Sequence, residues 1–205
     1  MLTASGIVND ENGGANYSYD FTNTAVGEIT TLAITVIPNA DQSKVYGQLD
    51  PTFTYTNTPA LIGEDEFDGA LSRAEGENVD TYEYKIGSLT AGGNYSLTLE
   101  TETFEIVKAT PIIDWENPEG ITYGTALNSE DQLNATTDID GEFVYTPVSG
   151  TVLNAGEDQE LSVTFTPTDT ANYDSVTQEV LITVTPAPLT VTADDKSKEY
   201  GADDP

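Results

Sequence analysis

Two dipeptide ladders constrain this chain more than any other feature. Asn-Tyr occurs at Asn16-Tyr17, Asn94-Tyr95 and Asn172-Tyr173, in steps of 78 and 78, and Tyr-Gly occurs at Tyr46-Gly47, Tyr123-Gly124 and Tyr200-Gly201, in steps of 77 and 77. The two ladders interleave. A period of this length marks a repeat architecture in which each period is one small folding unit. The flanks agree. Small residues precede each Asn-Tyr (Gly13-Gly14-Ala15, Ala91-Gly92-Gly93, Thr170-Ala171), and a β-branched run ending near proline follows: Leu32–Ile37 before Pro38, Thr103–Val107 before Pro111, Val180–Thr185 before Pro186. Each of these runs reads as the last strand of a module, with the proline stiffening the link because it fixes φ and cannot donate to a ladder.

On this reading residues 1–38 are the C-terminal part of a preceding repeat, 39–110 and 111–187 are whole modules, and 188–205 begin the next. The ladder therefore reads as a piece of a longer array. Ile34-Thr35-Val36, Ser43-Lys44, Tyr46-Gly47 and Asp50-Pro51 answer to Leu189-Thr190-Val191, Ser197-Lys198, Tyr200-Gly201 and Asp204-Pro205, which suggests two alternating module types. Within a module apolar and polar residues alternate, as in Tyr82–Ile86, Leu97–Leu99, Leu161–Phe165 and Val180–Val184, the period-two pattern of half-buried strands. Threonine is abundant, and Gly, Asn, Asp and Pro punctuate at short intervals, favouring antiparallel pairing over helical crossovers. No stretch sustains a helical period. The pattern predicts an all-β chain: small antiparallel β-sandwich (Ig-like) modules of about 77 residues strung end to end. A β-grasp-like layout with one short helix is the alternative for 39–110.

Charge and composition exclude several functions. Six Lys and Arg stand against 36 Asp and Glu, a net charge of −30. So few cations cannot neutralise a phosphate backbone, and an anionic membrane surface is repelled for the same reason. Cysteine and histidine are absent, which removes disulfides, thiolate chemistry and the commonest general base and metal ligand. At 37% apolar and 9% aromatic the chain is nonetheless hydrophobic enough to fold. No apolar run approaches the roughly 18 residues of a membrane span, and the opening Met1-Leu2-Thr3-Ala4-Ser5 lacks the basic and apolar regions of a signal peptide.

The recurring residues have structural readings first. Glycine after each tyrosine permits a positive φ or a close approach, and the tyrosine can plug the end of a sandwich with its ring buried and its hydroxyl bonded. Asparagine in Asn-Tyr tolerates a left-handed turn while the tyrosine begins a strand. Trp115 reads as a core or inter-module packing residue.

At Ser43-Lys44-Val45-Tyr46-Gly47-Gln48-Leu49-Asp50-Pro51, then Tyr55, Leu61, Gly63, Gly69-Ala70-Leu71-Ser72-Arg73, Gly76-Glu77 and Tyr82, the chain resembles the MBG repeat family of bacterial surface proteins, with Asp80 where a glycine is usual. The second module, through Ile121–Leu127, Gln132–Thr136, Gly150–Leu153 and Phe165-Thr166-Pro167, is similar to bacterial Ig-like repeats, and residues 1–38 resemble the tail of a YDG-type repeat. The resemblance implies a non-catalytic stalk or spacer in a large secreted adhesin at the bacterial cell surface, similar to the gliding-motility adhesins of Bacteroidota. It carries no catalytic residues. The expected partners are neighbouring repeats of the same chain, with surface polysaccharide as a further candidate; the charge argues against nucleic acid and the short apolar runs against membrane insertion.

Competing readings rest on the acids and aromatics. Calcium could bridge carboxylates and stiffen a link, with Glu64, Asp65, Glu66 and Asp68; Asp138, Asp140 and Glu142; Asp10 and Glu11; and Asp194, Asp195, Asp203 and Asp204 as candidate clusters. None completes a D-x-[DN]-x-[DN]-G loop, and a solvated acidic surface explains the same residues. Exposed aromatics such as Tyr17, Tyr19, Phe21 or Trp115 could hold glycans. Asp169-Thr170-Ala171 and Asp174-Ser175-Val176 resemble short O-glycosylation acceptors, and Lys85 and Lys108 are strand-like candidates for an intramolecular isopeptide bond. Residues 1–38 of one chain could also pair edge to edge with 188–205 of another, head to tail.

Overall fold

The computed structural model describes residue 6, residues 11–19 and residues 28–204. Eleven strands and no helix occur among them, in keeping with the all-β expectation and against the helix of a β-grasp. Among the described residues no helix is long and apolar enough to cross a membrane. The chain divides into two compact units. The first gathers the described residues up to Gln42, Pro51–Glu75 and Tyr82–Phe104, and the second Ser43–Asp50, Gly76–Thr81 and the described residues from Glu105 onward.

In the first unit, β1 (Leu32–Pro38) lies between β3 (Tyr55–Thr58) and β6 (Tyr95–Leu99). Alternation puts Ile34 and Val36 of β1 fully inside, while Ala33 and Thr35 look outward. The reading of Leu32–Ile37 as the last strand of a preceding module does not hold. β1 pairs antiparallel with β3 (Thr35 opposite Thr58) and parallel with β6 (Leu32 opposite Tyr95), so it belongs with residues on the far side of Pro38. A short pair, β4 (Ser72–Arg73) with β5 (Asp80–Lys85), is antiparallel. Phe53, Tyr84 and Phe104 meet edge to face, with centroids 5.1–6.3 Å apart, and the Arg73 guanidinium lies 4.9 Å from the Tyr82 ring centroid.

In the second unit, β2 (Ser43–Val45) runs parallel to β7 (Thr103–Val107) through Lys44 opposite Ile106. The main sheet has the order β8 (Ile121–Thr122), β11 (Val176–Thr185), β10 (Gly156–Pro167), β9 (Gly141–Thr146). Leu161, Val163 and Phe165 of β10 and Val180, Ile182 and Val184 of β11 are buried, and most of them pack with Trp115, Leu127 and Leu133. Each such burial contributes about 1.5–3 kcal/mol. Trp115 is a core residue, its indole N–H donating to the Gln132 carbonyl at 3.0 Å and its ring edge-on to Tyr145.

Pairing is more mixed than the turn-rich composition predicts: β1–β6, β2–β7 and β8–β11 are all parallel. A parallel pair needs a long connection, and here the rest of the module supplies it in place of a helix.

Candidate functional site

The Tyr-Gly ladder is a ladder of turns. The amide of Gln48 donates to the Val45 carbonyl at 3.1 Å, that of Thr125 to Thr122 at 3.0 Å, and that of Ala202 to Glu199 at 3.1 Å, with Gly47, Gly124 and Gly201 at φ 80°, 98° and 87°. A positive φ at the third residue of a four-residue turn is the type II pattern, which is why glycine follows tyrosine each time. Neighbouring bonds keep the same step. Tyr46 N–H donates to Val107 and Tyr123 N–H to Thr185, both at 2.8 Å. Leu32 N–H donates to the Asn94 carbonyl at 2.9 Å and Ala109 N–H to the Asn172 carbonyl at 3.0 Å.

The expectation for the tyrosine rings fails at two of the three turns. Tyr123 is 50% exposed and Tyr200 is fully exposed; Tyr46 alone is half-buried, edge-on to Tyr173 at 5.3 Å. The asparagines differ from expectation too, since none of the three has a positive φ. Tyr95 begins β6 as predicted, whereas Tyr173 makes only an isolated bridge to Ala109.

What covers Tyr46 is a polar corner within the second unit. The loop between β10 and β11 carries Asn172, buried to 6% exposure. Its Oδ1 accepts the Val79 amide at 2.8 Å, and its Nδ2 donates to Asp169 Oδ2 at 2.8 Å and to Asn78 Oδ1 at 3.3 Å. Its own amide donates to Asp169 Oδ1 at 3.2 Å. Ala109 is held on both sides, because its carbonyl accepts the Asp174 amide at 2.9 Å while its amide reaches Asn172. Lys108 Nζ donates to the Thr170 carbonyl at 2.7 Å, with the Asp174 carboxylate at 3.9 Å.

Beside this corner, the Lys44 ammonium is buried and ion-paired with Asp50 at 2.7 Å and with Glu77. Burial works against its charge, but the hydrogen bonds and negative charges of Asp50 and Glu77 outweigh it and hold Lys44 above the ordinary lysine value. Its lone pair is therefore occupied by a proton at neutral pH, and the group acts as a cation between two carboxylates. Lys44, Asn78 and Asn172 are not among the site candidates of the sequence, and Asp169 is one only as part of a glycosylation acceptor. The signal for Lys44 lay in the spacing to Asp50, repeated at Lys198 and Asp204, which form an ion pair at 2.6 Å.

The proposed calcium ligands do not gather. Among the described residues no group of three or more Asp or Glu side chains is placed to hold a metal. Asp65 instead accepts the Tyr95 hydroxyl at 2.6 Å, raising that phenol above the usual tyrosine range, while the Ile62 amide works the other way. Asp68 Oδ1 accepts the amide of the next residue, Gly69, at 2.8 Å, which uses one oxygen locally. Glu64 and Glu66 are exposed. Asp138 and Asp140 line an open cavity with Ile139, Thr168, Asp169 and Tyr173, and Glu142 lies on β9 opposite Thr166, exposed. Glu11, Asp194, Asp195, Asp203 and Asp204 are exposed, Asp204 being taken by Lys198, while Asp10 and Phe21 lie outside the described residues. Tyr17 and Tyr19 are 57% and 38% exposed, and Trp115 is buried and so cannot stack on a sugar.

Residues 34–105 match the model of the MBG domain (YGX type). That segment is an MBG-type module, and its single Tyr-Gly-X run, Tyr46-Gly47-Gln48, is the type II turn stapled by Lys44 and Asp50. No curated protein matches the chain.

Proposed function

We propose that this chain is a non-catalytic repeat segment of a large secreted adhesin at the bacterial cell surface, working as a stalk that holds a binding region away from the cell in surface adhesion or gliding. MBG domains occur in extracellular surface proteins, and this supports the placement. In this reading the modules predicted at 39–110 and 111–187, with β1 added to the first, are consecutive beads. The observation that carries the proposal is the pinned link. Lys108 and Ala109, just before Pro111, are bonded through side chain, amide and carbonyl to the 169–174 loop within the second unit, so this stretch of chain is held in place there. A spacer needs stable beads and restricted links, and it needs no pocket.

Pulling a polyprotein that contains the chain between marker domains tests this. Two cooperative force peaks are expected, each releasing about 77 residues, or about 270 Å at roughly 3.5 Å per residue. Extension without peaks would contradict a load-bearing role, as would release of sugar from polysaccharide incubated with the protein.

A further inference from the structure

Both halves of the covered turn recur in uncovered form elsewhere in the chain. The covered half is Tyr46-Gly47 and the covering half Asn172-Tyr173; one period away stand Tyr123-Gly124 and Asn94-Tyr95. The uncovered halves keep the backbone geometry of the covered pair. Tyr123-Gly124 has the same turn bond, the same positive φ and the same 2.8 Å bond from the tyrosine amide to the end of a neighbouring strand. Asn94 receives the Leu32 amide as Asn172 receives that of Ala109. Their surroundings differ. Tyr123 is half exposed, and beside Asn94 and Tyr95 a cavity of about 320 Å³ is lined by Ile29, Leu32, Ile62 and Asp65, with Ile29 fully and Ile62 65% exposed. The side chains at the mouth of this corner, Ile29 and Ile62, are apolar and offer a ring a place to pack.

We propose that the Tyr123-Gly124 turn is a docking face whose partner is the Asn94-Tyr95 corner of a second copy of this chain, the ring of Tyr123 entering the cavity beside Tyr95 as Tyr46 meets Tyr173. The inference stands on this internal equivalence and holds whether or not the segment is a spacer. The contact is weak for two reasons visible in the molecule. Asn94 has Ala91 where Asn172 has Asp169 three residues earlier, so one bonded partner is missing, and two copies of charge −30 repel. Within one chain a tether supplies an effective concentration of millimolar order; between chains it must be supplied in solution.

Amide NMR spectra of the full chain at about 50 µM and about 1 mM, in about 0.5 M NaCl to screen the charge, test the proposal. Concentration-dependent shifts are expected at Tyr123 and Gly124 together with Ile62, Asn94 and Tyr95. Tyr123→Ala and, separately, Ile62→Glu abolish both sets, each variant melting as the parent does because the side chain removed is exposed; Tyr200→Ala leaves them unchanged. No shift between the two concentrations overturns the proposal. So do shifts that survive Tyr123→Ala, or that are confined to residues 188–204, which would assign self-association to the chain ends.

Discussion

The turns at 43–50 and 197–204 are built alike and end differently. In both, lysine pairs with the aspartate six residues on (2.7 Å for Lys44 and Asp50, 2.6 Å for Lys198 and Asp204), the closing amide bond is 3.1 Å, and glycine sits at φ 80° or 87°. Yet the Lys44 side chain is 4% exposed and that of Lys198 47%, and Tyr46 is half-buried while Tyr200 is fully exposed. The turn is therefore a local device, closed by its own eight residues. Its burial comes from elsewhere: β7, which accepts the Tyr46 amide, and the Asn172-Tyr173 corner. The third turn adds a variation. Ile121 stands where Lys44 would be and Leu127 where Asp50 would be, and both join the apolar cluster of the second unit, so the ion pair is exchanged for hydrophobic packing without changing the turn.

This comparison can be broken most easily at Asn172. Asn172→Ala removes a buried side chain that binds the half-buried Val79 amide and the exposed Asp169 carboxylate, and should lower stability by about 1–2 kcal/mol; Asn94→Ala, at an exposed position, should change it by less than about 0.5 kcal/mol. Denaturant unfolding of both variants checks the contrast, and equal effects would remove the corner from the account. Of similar size is Lys44→Met, which takes the cation from between two carboxylates. Because both are partly exposed the expected loss is about 1–3 kcal/mol, against roughly zero for Lys198→Met, by the same measurement. Gly47→Ala meets nothing within 4 Å but forces a side chain into a left-handed φ, at a cost of about 1–2 kcal/mol. Gly201→Ala, with the same φ, should leave the melting temperature in place, since the turn it distorts is not buried.

Alkali sharpens the contrast further. Lys44 is held above its ordinary value of 10.5, and burial raises the phenols of Tyr84 and Tyr145 above theirs of 10.0, with the Glu102 charge adding to the rise at Tyr84 and the Ala135 amide opposing it at Tyr145. A folded pKa above the unfolded one contributes stability that is full below the unfolded value and lost as pH rises through the folded one. The melting temperature should therefore fall above about pH 10, and fall less steeply in Lys44→Met, which keeps only the tyrosine share. Smallest of all is the effect of calcium. With no carboxylate trio among the described residues, millimolar Ca²⁺ should shift the melt no more than Mg²⁺ at matched ionic strength.

Much of the fold was legible because it is written locally. The strand Thr103–Val107 and the alternating runs within β5, β6, β10 and β11 follow from period-two hydrophobicity, and the glycines of the Tyr-Gly ladder follow from the φ that a type II turn demands. What escaped depends on residues distant in the chain. Asn172 and Val79 are 93 positions apart, so no local pattern could mark Asn172 as a buried hub rather than a turn residue. Parallel pairs such as β2–β7 are set by how the module closes, which composition does not report. The ring of Tyr46 is half-buried and those of Tyr123 and Tyr200 are not, because burial depends on what lies opposite, and the dipeptide is the same at all three. The acidic clusters show how nearness in sequence and placement in space differ. Nearness in sequence places Glu64, Asp65 and Asp68 together, but Asp65 turns to Tyr95 and Asp68 to its own backbone.

Amide hydrogen exchange compared at Gln48 and Ala202 tests the central claim most directly, since the two donate the same 3.1 Å bond across the same stapled turn. If cover rather than the turn itself confers stability, Gln48 is protected to near the level of the second unit's core strands, and Ala202 exchanges within about tenfold of an unstructured amide. Equal protection at the two sites would contradict the account and make the turn stable by itself.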